Sequence, residues 1–265
     1  MIIESIILGA IQGVAEWLPI SSEGAIILAK VSLFKSGLEV GELIRYALFL
    51  HLGTFFAALL YFRKEVFDLL KTLLNYKKSD KESKILIRFY VIASFVSGII
   101  GAVILKTIDW IGEDLSLEGK GITLFIGILL LFTAFLQLKR KSEGSKEIVD
   151  LTKKDGLILG VAQGASILPG LSRSGITVAT FLLRNFKETH ALRLSFLMSL
   201  PVILAGNIFV NLDKLVFSAQ SIISLTFSFV FGFLTIHFLL KVADRLNFGW
   251  FVFLFSLITI FSIFI

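Results

Sequence analysis

The chain has no cysteine, so it can form no disulfide, Cys-ligated metal site or thiolate nucleophile. Charge is scarce as well: only 17% of residues are Asp, Glu, Lys or Arg, well below a soluble average. Prolines number three, and two of them, Pro19 and Pro169, fall in a stretch that the chain writes twice. What fills the space is apolar: 56% hydrophobic residues, 27 of them Phe. Apolar runs close to membrane-spanning length recur to the end of the chain, which makes this a polytopic membrane protein. The first run starts at Met1 without a basic leader or a small-residue cleavage site, and it is expected to be retained rather than removed as a signal. The net charge of +6 lies in the loops, pointing to anionic lipid headgroups and not to nucleic acid.

The repeated stretch organises everything else. Gly9-Ala10-Ile11-Gln12-Gly13 leads through Glu16, Pro19, Ser21 and Ser22 to Gly24. Gly160-Val161-Ala162-Gln163-Gly164 leads through Pro169, Ser172, Arg173 and Ser174 to Gly175. With Gln12 set on Gln163, the glycines and Ser21 align with Ser172 without a gap, and only the proline slips by one place. Paired broken segments in two halves of a hydrophobic chain indicate a site near the bilayer midplane.

The expected fold is all-α and polytopic, an inverted-topology repeat within one membrane domain. The first repeat, residues 1–140, holds a re-entrant hairpin at 2–30 and spans at 45–62, 86–107 and 121–139. The second, 155–265, holds a hairpin at 155–183 and spans at 192–211, 219–240 and 248–265. Neither arm of hairpin 2–30 reaches the ~20 apolar residues that a span needs, which is why it reads as re-entrant. Residues 31–44 read as an amphipathic connector and Lys71–Lys84 as a polar loop in water. Asp109, Glu113, Asp114 and Glu118 mark the loop between the second and third spans. Loops 63–88, 139–154, 184–193 and 241–245 carry most of the Lys and Arg. The opposite side has Lys30, Lys35, Arg45, Lys106, Lys120 and Lys214, diluted by carboxylates. The basic side should be cytoplasmic, with both termini outside.

Arg173 is the sharpest chemical signal. An arginine deep in an apolar run needs an anionic partner or a wet cavity. Flanking Ser172 and Ser174 and the amides of a Gly-rich turn opening a helix make an anion cradle, and a guanidinium grips phosphate bidentately. The alternatives are a tie to a loop carbonyl and a structural pairing with Glu16. Glu16, one helical turn after Gln12, can bind a divalent cation or orient a nucleophile or water; a protonated, hydrogen-bonded Glu is the other reading. Ser21 and Ser22 can each be a nucleophile or a helix cap. His51 lies inside a span and is either a site residue or a packing histidine. His190 and His237 carry little signal, the Phe stripes are packing, and Asp213, Lys214, Asp244 and Arg245 read as interfacial anchors.

Four stretches resemble a known family. Gln12 to Ser22, His51-Leu52-Gly53-Thr54, Pro169 to Gly175, and Ser195 to Pro201 look like the bacitracin-resistance type of undecaprenyl-pyrophosphate phosphatase. The similarity runs along the whole chain, and Pro-Gly-x-Ser-Arg-Ser-Gly is highly specific. The resemblance implies a membrane enzyme that removes the terminal phosphate from a polyprenyl diphosphate, regenerating a lipid carrier for envelope glycan assembly. It also implies an inverted-repeat fold, an active site open to the outer face and dependence on a divalent cation, Mg²⁺ or Ca²⁺, with Glu16 as the metal residue. It gives Ser22 as nucleophile and places Arg173, Ser172 and Ser174 on the phosphate-binding loop. The expected substrate-binding set is completed by Gln12, Ser21, Gly170, Gly175, Thr177, His51 and Gln163. One departure stands out: the family usually has a histidine where this chain has Ala25, so Glu23 or His51 is left to supply acid–base chemistry. Expected partners are the prenyl substrate and membrane lipids, with a homodimer left open. A lipid flippase is the rival reading, since inverted repeats with broken helices are also a transporter architecture. A lipid-binding scaffold would leave Arg173 and Glu16 without purpose.

Overall fold

The computed structural model describes residues 2–36, 40–112, 124, 127–128, 131–132, 134–135, 138, 144–168, 171–211, 218–242 and 248–261. All the elements it assigns are helical. The first hairpin is α1 (Ile2–Ala15), a turn, and α2 (Ser22–Leu28), which runs into a π-helical turn at Ala29–Leu33. Then come α3 (Val40–Tyr61), α4 (Arg63–Leu74) and α5 (Lys81–Gly112). The second hairpin is α6 (Lys153–Ala165) and α7 (Arg173–Leu183), followed by α8 (Glu188–Asn211), α9 (Ala219–Val242) and α10 (Phe248–Phe261). Among the described residues, four helices are long and apolar enough to cross a membrane: parts of α3 and α5, and all of α8 and α9.

Both hairpins break where the sequence places Pro and Ser. The breaks work because a serine restarts each helix: Ser21 Oγ accepts from the Gly24 amide at 3.0 Å and Ser172 Oγ from the Gly175 amide at 3.1 Å. A hydroxyl at this position satisfies an amide that has no intrahelical partner. An ion pair of 2.7 Å between Lys30 and Glu4 ties the end of the first hairpin to its beginning.

The expected element ends need correction. The first span begins at Val40, inside the stretch read as a connector, and the connector itself contains a π-helical turn. The stretch Lys71–Lys84 is not an open loop: α4 runs to Leu74, a single 3₁₀ turn covers Tyr76–Lys78, and α5 begins at Lys81. Amphipathic spacing explains α4. Thr72 is buried and Val66 and Leu69 are half-buried on the protein side, while Phe67, Leu70 and Leu74 face outward between charged residues. Most of the expected span 121–139 lies outside the described residues, as do Glu113, Asp114, Glu118, Asp213, Lys214, Asp244, Arg245 and the last four residues of 248–265.

Small residues set the helix contacts. α1 runs along α9, and α6 runs along α5. A methyl group added at Gly13 would sit 2.6 Å from the Gly232 amide, and one at Gly160 would sit 2.6 Å from Val96 Cβ. Gly156, Gly160 and Gly164 repeat every four residues against the carbonyls of Phe89, Ala93 and Ser97. In lipid, where no hydrophobic force separates helix from solvent, close backbone approach of this kind drives association. Polar side chains finish the job around α3. Asn207 donates to the Leu48 carbonyl at 3.0 Å, and Ser228 donates to the Leu50 carbonyl at 2.8 Å. The largest apolar cluster joins Trp17 at the tip of the first hairpin to Phe181 on α7 and Phe196 on α8. This packing holds the two hairpin tips together.

Candidate active site

Glu16 is the centre of the polar cluster at that junction. Its backbone amide donates to the Gln12 carbonyl at 3.0 Å, so the chain keeps a helical turn beyond α1 and the two side chains share a face. Gln12 Nε2 donates to Glu16 Oε2 at 3.0 Å, and Ser22 Oγ donates to the same oxygen at 2.8 Å. His51 Nε2, brought in by α3, lies 3.0 Å from Glu16 Oε2 and 3.4 Å from Ser22 Oγ. Arg173, the first residue of α7, bonds the other carboxylate oxygen, Oε1. Only 4% of the Glu16 side chain is exposed, so its charge is balanced inside the protein and not by water.

The imidazole is held at both ends. His51 Nδ1 lies 2.7 Å from the Ala47 carbonyl, which can only accept, so Nδ1 carries a proton. That leaves Nε2 facing the carboxylate and the serine hydroxyl. The guanidinium of Arg173 is also fixed on a second side. It lies over the Trp17 ring at 5.7 Å, and NH1 donates to the Ser195 carbonyl at 3.4 Å. Trp17 in turn packs edge-on against Phe196 at 4.8 Å. Ser174 Oγ donates to the Leu18 carbonyl at 2.6 Å, which pins the first turn of α7 to the first hairpin.

The structure thus brings together Gln12, Glu16, Ser22, His51 and Arg173. Other expected residues serve the frame. Ser21 and Ser172 cap their helices, Gly175 gives its amide to Ser172, and Ser172 Oγ lies 3.3 Å from Ser174 Oγ. Thr177 turns into the bundle, 2.7 Å from Ser195 Oγ. Gln163 Nε2 donates to Ser97 Oγ at 3.3 Å, on α5 and away from the Glu16 cluster. Glu23 is half-buried and within electrostatic reach of Glu16 and His51, but it forms no hydrogen bond or ion pair among the described residues. Gly170 lies outside the described residues. The pairing of Arg173 with Glu16, one of the alternatives for that arginine, is present. A strut alone leaves Ser22, His51 and Gln12 on the same carboxylate unexplained.

Sequence reasoning missed two participants. Trp17 was legible only as part of a motif, although an indole beside a buried arginine is a signal in its own right. The Ala47 carbonyl carries no side-chain signal; it is simply the residue one helical turn before His51.

Against known proteins, a family model described as bacitracin resistance protein BacA matches residues 5–261. A protein of Methanococcoides burtonii named undecaprenyl-diphosphatase is 41% identical over 252 residues, covering 94% of this chain and 93% of that protein. Proteins of the same name from Methanothrix thermoacetophila and Haloarcula marismortui are 36% and 37% identical, covering 97% and 93% of this chain and 95% and 92% of their own lengths.

Proposed function

Because the chain belongs to the bacitracin resistance protein BacA family, we infer that it is a membrane phosphatase acting on undecaprenyl diphosphate, as its relatives are named. The reaction releases inorganic phosphate and leaves the prenyl monophosphate, recycling a lipid carrier. The observation that carries the reading is the convergence of Ser22, Glu16, His51 and Arg173, from two hairpins and a span, on one enclosed carboxylate.

In the proposed mechanism, Arg173 and the first turn of α7 hold the terminal phosphate. Ser22 Oγ attacks its phosphorus, forming an O–P bond as the anhydride bond to the prenyl phosphate breaks. Glu16 and His51 both stand within reach of the proton that Ser22 loses. Water then removes the phosphoryl group from Ser22. Charge on the transferring group grows on its outer oxygens, so fixed positive charge contributes most of the acceleration.

The residues suit a divalent cation shared with the substrate. Gln12 Oε1 is buried with no hydrogen-bond partner among the described residues, on the carboxamide that bonds Glu16. With the carboxylate of Glu16, and Glu23 within electrostatic reach, it would offer hard oxygens that phosphate oxygens and water would complete for Mg²⁺ or Ca²⁺. When bound, the cation would neutralise diphosphate charge.

Two further parts of the reading concern the frame. The pairing of α1 with α9 and of α6 with α5 supports an inverted repeat of residues 1–140 and 155–265, because exchanging the halves exchanges the pairs. The charge bias of the loops supports a cytoplasmic basic side, with the termini and the site open to the outer face of the cell membrane. The exposed apolar faces suit lipid or a second copy of the chain.

The test is phosphate release from farnesyl diphosphate by detergent-purified protein, with Mg²⁺ or Ca²⁺ and with chelator. Release that requires the cation supports the reading. A wild-type protein that binds the diphosphate and releases nothing would instead be a carrier.

A further inference from the structure

A cleft open to the surface lies away from Glu16, between α4, the start of α5 and α8. It holds about 260 Å³, room for several waters by the ~30 Å³ that each takes in the liquid. Four carboxylates line it, Glu65 and Asp68 from α4, Asp80 just before α5 and Glu82 in its first turn, against one guanidinium, Arg193. In a chain of net charge +6 this is a local excess of the opposite sign.

Two of those carboxylates are already committed. Glu65 pairs with Arg193 at 2.7 Å, and Asp80 caps α5 through the Ser83 amide at 2.9 Å and hydroxyl at 2.6 Å. The side chains of Asp68 and Glu82, one on each of two elements, form no hydrogen bond or ion pair among the described residues, and Glu82 lies within electrostatic reach of His190. An independent observation lies in the wall. Tyr90 lines the same space with 7% of its surface exposed, and its hydroxyl is buried with no hydrogen-bond partner among the described residues. A buried phenol normally finds a partner, so this one is short of a ligand.

We propose that this space binds a primary alkylammonium group, held by Asp68, Glu82 and the Tyr90 hydroxyl. An ammonium has three donors and no acceptor, which matches two carboxylates and a phenol oxygen. Leu69, Leu86, Leu194 and Leu197 line the space and take the attached methylenes. A bare metal ion fits less well: among the described residues no three His, Asp or Glu side chains converge closely enough to hold one. The ammonium comes either from a free short diamine, bridging α4 and α5, or from an amine lipid headgroup.

The experiment titrates 1,4-diaminobutane, n-butylamine and MgCl₂ into the full-length protein in phosphatidylcholine nanodiscs, read by calorimetry. A parallel set uses discs containing phosphatidylethanolamine. Saturable diamine binding is expected, weakened at least tenfold in Asp68→Asn with Glu82→Gln and severalfold in Tyr90→Phe. Without ligand, Tyr90→Phe should leave Tm unchanged or raise it, since the hydroxyl has no partner to lose. Weaker diamine binding in phosphatidylethanolamine discs identifies the headgroup as occupant. No saturable binding and no headgroup effect, or Mg²⁺ binding as tight as diamine, or affinity untouched by the three substitutions, overturns the proposal. The phosphate-release assay is independent of all these outcomes.

Discussion

Ser22 and Arg173 occupy the same place in the two hairpins: each is the first residue of a helix whose cap is the serine before it, Ser21 in one case and Ser172 in the other. One carries the candidate nucleophile and the other the candidate phosphate grip, and both bond Glu16. The two serines of each motif therefore have different work, and substitutions should separate them. Ser22→Ala should reduce phosphate release to background with only a modest fall in Tm, from the hydrogen bond lost to Glu16. Ser21→Ala and Ser172→Ala should each lower stability by about 1 kcal/mol, the usual cost of losing a cap. Thermal melts beside turnover check this, and a Ser22→Ala protein that still turns over would move the attack to water.

Arg173→Lys should lower turnover by about 10²-fold or more, because a point charge cannot reproduce two parallel N–H bonds. The lysine would still neutralise Glu16, so Tm should fall little. Near-wild-type turnover in Arg173→Lys would leave the arginine a structural partner of Glu16.

The glycines divide by what faces them. Gly13→Ala and Gly160→Ala should cost about 1–3 kcal/mol each, as overpacked sites do. Gly98, also helical, has nothing within 4 Å of where its methyl would go. Gly98→Ala should therefore be neutral or stabilising by up to about 1 kcal/mol. Equal melting temperatures for all three variants would contradict the close contacts.

Orientation can be read without background, because the chain has no native cysteine to label. Single cysteines replacing Ser79 and Ser145 should resist a membrane-impermeant maleimide applied to intact cells, while one replacing Ser36 should react. Reaction at 79 and 145 but not at 36 would invert the proposed topology.

Much of this was legible in the sequence because the determinants are local. Proline and serine clustered together mark the break in each hairpin, whereas Pro201 on its own is accommodated inside α8, and Gln12 and Glu16 share a face by helical spacing alone. The charge density of residues 63–88 indicates a loop and hides α4, whose Phe67, Leu70 and Leu74 nonetheless follow helical spacing. The choice between Glu23 and His51 was out of reach for a different reason. Glu23 adjoins Ser22 in the chain yet does not touch it, whereas His51 reaches it from α3 at 3.4 Å. Adjacent helical residues point apart, and only tertiary packing decides which distant side chain arrives.

The glycine face of α1 has a consequence for how the protein is made. Gly9 and Gly13 pack against α9, which begins only at Ala219, so the helix that carries the chain to Glu16 leaves the ribosome long before its partner exists. Contacts this distant in sequence form late, after the loops between them have closed. During synthesis the first hairpin has to wait, with its small-residue face unfilled, until the second half is inserted. A chain stopped after α8 would contain Ser22, Glu16, His51 and Arg173 and still lack the helix that seats them. Assembly of the whole chain and completion of the site are then a single event.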